Sequence, residues 1–341
     1  MSTEAPPSEP PAVPDSLTSL GYKIRRFGPL PEGFSPLTAA DDQLAEQCLP
    51  RRPDARSEPK LFALWERSMA HTETWIAPEF VEVKPKVRSP RVPTVDEPPL
   101  DPPPPDLTSP IWSGAIQFEQ PDGPFTFVAA QWTVPEIKID DIWDLAFDDP
   151  DLWIAAEWVG IDGYYAKDLL QAGTAVQPLF GFSGIEINVW PWWQWVPGAA
   201  VSISNVGVSP RDDVVCLICA DDTMAGATIY FTNLTNGKGT RFHVTPPHGT
   251  KVIGNSVEWI VERPTYYPGW PASWWEDPFY VPLPDYVECD FDGCIAGGTD
   301  AWAIHLDGAS TLTMVSHNGD ILSDAQIESD DTLKVTWHKS G

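Results

Sequence analysis

The sequence predicts an all-β protein: a two-sheet antiparallel β-sandwich preceded by a proline-rich leader. Two observations support this fold class. From about residue 108 onward, short runs rich in Val, Ile, Thr, Phe and Trp recur and are separated by turn dipeptides. No amphipathic helix of useful length lies between these runs, although parallel strands would need such crossovers. We therefore expect antiparallel strands that bury their apolar faces between two sheets.

The leader comprises residues 1–107 and the sandwich domain residues 108–341. The leader holds 21 of the 38 prolines and ends in the run 98–105, which is typical of a semi-rigid polyproline spacer. By contrast, 15 of the 17 Trp lie beyond it. The leader is therefore expected to be poorly packed, with short helices at 37–49, where a Thr would cap the first turn, and at 60–70.

Within the domain, the clearest strands are four runs of β-branched and aromatic residues, at 125–134, 201–204, 227–232 and 311–316. The dipeptides Asn236-Gly237 and Asn318-Gly319 favour type I′ hairpins, in which both central residues have positive φ. The aromatic-rich segment 266–275 lies outside this scheme, and both a lid and a loop packed at the sheet edge remain open for it.

The five cysteines fit either redox setting. Cys216 and Cys219 lie three apart in an apolar run, so on a strand their thiols point to opposite faces and share no metal. Cys289 and Cys294 have the spacing of a small disulfide loop, and free thiols are an equal alternative.

Charge excludes one class of partner. The formal net charge is −28 with a pI near 4.3, so phosphate-mediated nucleic-acid binding would be opposed by repulsion. No run of eighteen apolar residues exists, and no membrane span is predicted. In acid many of the 49 carboxylates would be protonated, which would relieve the self-repulsion present at neutral pH. Simple solubility explains the charge equally well.

Several well-known catalytic and binding motifs are absent from the sequence. The sequence has no His-Glu-x-x-His, no Gly-x-Ser-x-Gly elbow and no phosphate-binding Gly-x-x-x-x-Gly-Lys loop, and its six histidines show no metal-ligand spacing. Carboxylates, amides and tryptophans remain. Acid–base catalysis by a carboxylate is therefore the leading enzymatic interpretation.

Two polar residues stand out by their apolar neighbours. Strand alternation over 258–262 places Glu258 and Glu262 on one face, and the pattern does not separate these rivals. Desolvation raises the pKa of a carboxyl group, which suits a group that takes a proton from water and returns it to a leaving amine. Gln171 offers amide donors whose charge is independent of pH and which can stabilise an oxyanion.

Several blocks, taken together and in order, resemble the glutamic peptidases, or eqolisins, over most of 108–341. The blocks are Ile111-Trp-Ser-Gly114, Gln131-Trp-Thr-Val-Pro135, Trp158-Val-Gly-Ile-Asp-Gly163 with Leu170-Gln-Ala-Gly173, Trp192-Trp-Gln-Trp-Val-Pro197, Asn233-Leu-Thr-Asn-Gly237 and Glu258-Trp-Ile-Val-Glu262. Ile111 stands where the family usually has Asn, and Gln194 replaces its cleft Glu.

The resemblance implies a concanavalin A-like sandwich and an acid-active endopeptidase insensitive to pepstatin. In this mechanism Glu262 is general base and then general acid on water, and Gln171 stabilises the oxyanion. The resemblance also implies polypeptide substrates with no metal and no cofactor. The expected substrate-binding residues along the cleft are Trp158, Asp162, Trp192, Gln194 and Trp112. A non-catalytic sandwich that binds carbohydrate or peptide through its tryptophans is the alternative.

The resemblance also bears on the leader and on localisation. Members of the family are typically secreted, yet Met1–Pro7 lacks the basic start and apolar core of a signal peptide, so the compartment stays unknown. The leader is expected to be a propeptide that binds the domain in cis. Its basic residues, at 23–26 and 51–56, would pair with acidic surroundings of the cleft at neutral pH and release them in acid.

Overall fold

The computed structural model describes residues 17, 21–83, 87–88, 104–118, 123–138, 153–181, 184–246, 249–266, 280–298 and 303–341. Nearly all of the predicted proline spacer, and the aromatic segment 266–275 apart from the backbone of its first residue, lie outside these residues. Within the described part, no helix is long and apolar enough to cross a membrane. The antiparallel all-β architecture predicted from the sequence is confirmed there.

The described residues form two helices and twenty-one strands, joined by turns and loops. The helices are α1 (Asp41–Glu46) and α2 (Pro59–His71). The strands are β1 (Lys23–Arg26), β2 (Thr74–Ile76), β3 (Phe80–Glu82), β4 (Val87–Arg88), β5 (Asp106–Ser109), β6 (Trp112–Phe118), β7 (Phe127–Thr133), β8 (Ala155–Ile161), β9 (Leu169–Gly181), β10 (Gly184–Val196), β11 (Val201–Ile203), β12 (Asp213–Ala220), β13 (Ala227–Asn233), β14 (Lys238–Thr245), β15 (Ser256–Glu262), β16 (Thr265–Tyr266), β17 (Glu288–Gly297), β18 (Ala303–Ile304), β19 (Ser310–Val315), β20 (Ile321–Ile327) and β21 (Thr332–Trp337).

The strands form two layers. The front sheet runs β11–β10–β9–β8–β15–β6–β19, and the back sheet runs β14–β13–β12–β7–β17–β21–β20. The two are joined where β19 pairs with β20. All of these pairings are antiparallel, as hairpin connections allow.

The main core lies between the two sheets. Trp193 and Trp259 from the front sheet meet Trp132 and Phe231 from the back sheet in one buried cluster. A second apolar cluster, with Trp112, Trp158, Trp192 and Ile260 among its members, lies on the other side of the front sheet, which we call the outer face. Strand alternation produces this split, since Trp259 and Ile260 are neighbours on β15 yet belong to different clusters.

Both predicted hairpins form, but the predicted turn type is wrong. A four-residue loop ending at Gly237 joins β13 to β14, and a five-residue loop containing Gly319 joins β19 to β20. Only the glycines have positive φ, +69° at Gly237 and +84° at Gly319. A type I′ turn needs positive φ at both central residues, and the longer loops here relieve Asn236 and Asn318 of that requirement.

The cysteines are free thiols throughout. Cys289 and Cys294 are buried without a disulfide between them, which settles the alternative left open by their spacing. Cys216 belongs to the core between the sheets, and Cys219 is only partly shielded on the opposite side of β12. The odd spacing therefore separates these two thiols as predicted.

The described leader is well packed, so the expectation of a poorly packed leader is wrong for residues 21–83. Strand β1 pairs with β14 at the edge of the back sheet, and β3 pairs with β11 at the edge of the front sheet. Exposed sheet edges accept additional strands because their backbone groups are unpaired. A small separate core joins the leader segments, comprising Ala39, Leu44, Leu49, Trp65, Met69 and Trp75.

Of the two predicted leader helices, one is confirmed and the other is shorter than predicted. Helix α2 at 59–71 is confirmed and buries Leu64 and Met69 on one stripe. Helix α1 is shorter than the predicted 37–49, and Ala40 is its N-cap residue. The Thr38 hydroxyl donates instead to the Ser35 carbonyl, so it binds in the preceding turn and does not cap the helix.

Candidate active site

Strand register brings the sequence-predicted residues onto one face. Directly opposed residues of an antiparallel ladder point to the same side, so each row across β10, β9, β8 and β15 shares a face. Three rows occupy the outer face: Gln194–Gln171–Gly160–Glu258, then Trp192–Gly173–Trp158–Ile260, then Trp190–Ala175–Ala156–Glu262. Trp112 on β6 opposes Glu262 in the third row. Gln171 is thus level with Glu258, and Glu262 lies two rows away.

Glu262 is buried at the end of β15. Its side chain is only 1% exposed, and the indole Nε1 of Trp158 donates a hydrogen bond of 2.9 Å to Oε2. Trp158 comes from β8, the strand next to β15, so the sheet itself fixes this contact. An N–H donor aimed at a carboxylate stabilises its charged form without bringing a competing acid.

Gln171 is held by a chain of amides. Its Nε2 donates to Oε1 of Gln194 at 3.0 Å, and Nε2 of Gln194 donates to the backbone carbonyl of Gly198 at 2.7 Å. An amide at position 194 accepts one bond and donates the other, which an ionised carboxylate cannot do. Gln194 therefore gives Gln171 a charge-free support.

Glu258 differs from Glu262 in having no indole donor. Neither carboxyl oxygen makes a hydrogen bond of normal geometry within the described residues. Burial raises the pKa of Glu258 well above its usual value; Ser256 offsets only part of this rise, and nearby Asp162 adds to it. The raised pKa favours the neutral form of Glu258 in acid.

Asp162 holds a loop. It lies just after β8 with φ +69°, and its carboxylate accepts the backbone N–H groups of Ile253, Gly254 and Asn255 at 2.6, 2.8 and 3.0 Å. Burial raises the pKa of Asp162 to about 6, opposed by these three bonds. Its contact with substrate stays a prediction, while the structure gives both oxygens to the loop at 253–255.

The predicted tryptophans meet on the outer face. Trp112 packs edge-on against Trp158, with ring centroids 5.0 Å apart. Trp192 donates from Nε1 to the Thr174 carbonyl at 2.9 Å, which fixes its ring beside Gly173. The Trp112 Nε1 makes no hydrogen bond within the described part of the chain. The three rings form a flat apolar layer on the outer face, with Trp112 and Trp158 0% and Trp192 5% exposed, and their binding of substrate stays a prediction.

Residues that sequence reasoning missed include Glu157, which precedes Trp158 in the chain, and Gly160, two positions after it. Gly160 lies under the Trp158 ring, and the signal for it was the i+2 spacing from that tryptophan on a strand. Glu157 points to the opposite face, where Thr174 donates to its Oε2 at 2.7 Å. Among the described residues, no group of three or more His, Cys, Asp and Glu is placed to hold a metal ion.

Replacing Gly160 by Ala is expected to displace the Trp158 ring. A Cβ at this position would lie 2.7 Å from Cζ3 of Trp158 and 3.2 Å from Cδ1 of Leu169. Overpacking of this kind costs about 1–3 kcal/mol of stability. The Tm and the activity of Gly160→Ala in the full chain measure the effect, and both are expected to fall. Unchanged Tm and activity would contradict this role of Gly160.

Known proteins share the sequence profile and the fold of this chain. The sequence profile of the Peptidase A4 family matches residues 110–337. Aspergillopepsin-2 of Aspergillus niger is 24% identical over 221 residues, covering 61% of this chain and 74% of that protein. The fold matches scytalido-glutamic peptidase, solved with a transition state analog inhibitor, at a TM-score of 0.54 and 19% identity, covering 67% of this chain and 98% of that chain. It also matches SCP-B, an eqolisin family member solved with the tripeptide Ala-Ile-His, at a TM-score of 0.50, 19% identity and the same coverage.

The structural matches, at their low identity, show the shared sandwich fold. The profile match covers well over half of the chain and carries the assignment. The chain belongs to the Peptidase A4 family, the glutamic peptidases, and is a peptidase.

Proposed function

We propose that the chain is an acid-active, pepstatin-insensitive endopeptidase that uses Glu262 and Gln171 on a water molecule and a scissile peptide bond. The hydrogen bond from Trp158 to Glu262, on the face that also carries Gln171, is the observation that supports this most directly. It gives one buried carboxylate a fixed donor on the face that carries the two amides, Gln171 and Gln194, two rows away.

Glu262 is the better general base of the two glutamates. A base must be ionised at the working pH. The N–H of Trp158 favours the ionised form of Glu262. Glu258 has no such donor, and its raised pKa keeps it protonated in acid. The indole donor of Trp158 thus separates two residues that alternation alone left equivalent.

In the proposed reaction Glu262 takes one proton from water and later gives that proton to the leaving nitrogen. The Glu262 carboxylate takes a proton from water as the water oxygen bonds to the scissile carbonyl carbon. The carbonyl oxygen becomes an oxyanion. Glu262 then gives the proton to the amide nitrogen, the C–N bond breaks, and a carboxylic acid and an amine leave with Glu262 ionised again.

Gln171 is proposed to stabilise the oxyanion. An amide carries two N–H donors, so it can support Gln194 and an oxyanion at once, and acid does not alter its charge. From strand spacing, Glu262 lies about 10 Å across and about 13 Å along the sheet from Gln171 between Cα atoms. The two side chains are therefore proposed to address different atoms, the attacking water and the carbonyl oxygen.

Acid pH favours the neutral form of two further buried carboxyl groups. Burial raises the pKa of Glu157 to about 8 and that of Asp162 to about 6. Both groups are therefore neutral in acid, where they cost least to bury. The formal charge of −28 also diminishes there, which reduces self-repulsion.

Digestion of a denatured protein at pH 2–7 with pepstatin present tests the proposal. We expect cleavage by the full chain in acid only, and a fall in kcat/KM of about 10²–10³-fold for Gln171→Ala, as for other oxyanion donors. Gln177→Ala, six residues farther along β9, is the matched control and is expected to stay within about threefold of wild type. Glycan or peptide binding without hydrolysis at any pH would favour the non-catalytic sandwich instead.

A further inference from the structure

Tyr22 of the leader is inserted against the end of β10. Its side chain is 3% exposed, and its hydroxyl donates to the backbone carbonyl of Trp195 at 2.6 Å. Its ring meets Trp193 edge-on at 5.6 Å between centroids. A Cβ at Gly198 would lie 1.8 Å from the Tyr22 hydroxyl oxygen, so only glycine leaves room for this contact. The leader thus reaches the backbone on both sides of the turn at 196–197.

The same turn supports the amide chain of the active site. Gln194 donates to the carbonyl of Gly198, and Gln171 donates to Gln194. The N–H of Gly198 donates to the Trp195 carbonyl at 2.8 Å, the same oxygen that accepts from Tyr22. Tyr22 is therefore connected to Gln171 through one turn and one amide. A shift of Gly198 moves the acceptor that orients Gln194.

Helix α2 of the leader lies on the back sheet. Arg67 donates to Gln131 at 2.7 Å, and Lys60 pairs with Asp330 at 2.6 Å. None of residues 21–83 belongs to the apolar cluster of the outer face, whereas Leu107, at the end of the leader, packs against it. The part of the leader that contains Tyr22 is therefore bound at the sheet edges and the back sheet.

Two basic residues of the leader bind within the leader itself. Arg51 pairs with Asp41, and Arg52 donates to the carbonyls of Pro36, Leu37 and Ala39. Residues 23–26 form β1 on the edge strand β14. Charge pairing between the leader and the cleft, on which the propeptide hypothesis was based, stays a prediction.

One buried cation of the domain depends on the leader. Arg241 is 2% exposed, and its Nε donates to the Gln47 carbonyl at 2.7 Å and its Nη1 to that of Gly28 at 3.2 Å. Its guanidinium also lies over the rings of Phe27 and Trp75, at 5.7 and 5.1 Å. These partners all come from the leader. A buried charge that loses its partners is strongly destabilising, so the leader is bound as part of the fold.

We propose that the leader is a permanent structural part of the enzyme and that Tyr22 is a positioning residue for the Gln194–Gln171 pair. This is opposite in sign to a propeptide, since losing the contact would lower activity instead of releasing it. The inference rests on the proposed role of Gln171 for its kinetic consequence. Its structural consequence, a fixed turn at 196–198, stands without that role.

Tyr22→Phe in the full chain tests this, with Tyr286→Phe as the matched control. The Tyr286 hydroxyl is equally buried and bonds to Ser323 at 2.6 Å within the core between the sheets. We expect Tyr22→Phe to lower kcat/KM about tenfold, about the value of one neutral hydrogen bond, mainly through kcat. Tyr286→Phe, at a comparable loss of Tm, is expected to stay within about twofold of wild type. Equal losses in both variants would overturn the positioning role.

A double-mutant cycle separates positioning from general weakening. If Tyr22 acts through Gln194, adding Tyr22→Phe to Gln194→Ala lowers activity no further. Fully additive losses would overturn the proposal. Hydrogen exchange gives a readout independent of catalysis, because Tyr22→Phe should speed exchange of the Gly198 N–H and Tyr286→Phe should not. If wild type itself proves inactive, the proposed function fails while this measurement still decides the role of Tyr22.

Cutting the chain tests whether the leader is permanent. A specific protease site is inserted between residues 89 and 103, and the native protein is treated with that protease. We expect the two pieces to elute together in gel filtration and the activity to be unchanged. Release of the leader with a rise in activity would restore the propeptide interpretation and overturn the proposal.

Discussion

Replacing Glu262 by Gln is expected to lower kcat/KM by about 10²–10⁴-fold, the range for loss of a general acid–base group. Gln cannot take a proton from water, although its Oε1 can still accept the hydrogen bond from Trp158. The fold should therefore survive, with a Tm near that of wild type. Single-turnover digestion in acid, with circular dichroism as a check on folding, measures both effects.

Glu258→Gln is the matched control for this substitution. It lies on the same strand and the same face, and it is equally buried. Because burial raises the pKa of Glu258 well above its usual value, the side chain is already neutral in acid, and an amide of the same shape changes little. We expect activity within about threefold of wild type. The reverse result, with Glu258→Gln inactive and Glu262→Gln active, would assign the base to the row of Gln171.

Sequence alternation was sufficient to predict the sandwich and the shared face of Glu258 and Glu262. On β15 it sends Val257, Trp259 and Val261 to the core between the sheets and their neighbours to the outer face. It could not predict which row of β9 opposes which row of β15, since register is set by pairing between distant segments. That register places Gln171 level with Glu258.

The leader could not be judged from its own composition. Its many prolines predict few regular elements, because proline disfavours the interiors of helices and sheets. Its order in residues 21–83 comes from partners elsewhere: the edge of β14, the edge of β11 and the buried Arg241. Tyr22 likewise gives no sign in the sequence that its partner is the carbonyl of Trp195.

Glu157 is expected to make the folded protein less stable as pH rises. It is fully buried on the inner face of β8, where Thr174 donates to it and Trp132 donates in turn to the Thr174 hydroxyl at 2.9 Å. Burial raises the pKa of Glu157 to about 8, opposed by the bond from Thr174. Below the unfolded pKa of about 4.3 both states hold the proton. Between that pH and about 8 only the folded state does, so its stabilisation is lost progressively over this window.

Glu157→Gln removes this titration and keeps an acceptor for Thr174. We expect the free energy of unfolding of wild type to fall more steeply with pH than that of the variant, by up to about 1.4 kcal/mol per pH unit. Urea titrations at pH 4.5, 6 and 7.5 measure the two slopes, with Glu46→Gln on the exposed surface of α1 as the control. Parallel slopes for wild type and Glu157→Gln would show that the carboxyl ionises without penalty. A steeper wild-type slope would mean that a core carboxyl biases the fold toward acid, independently of the residues proposed to perform catalysis there.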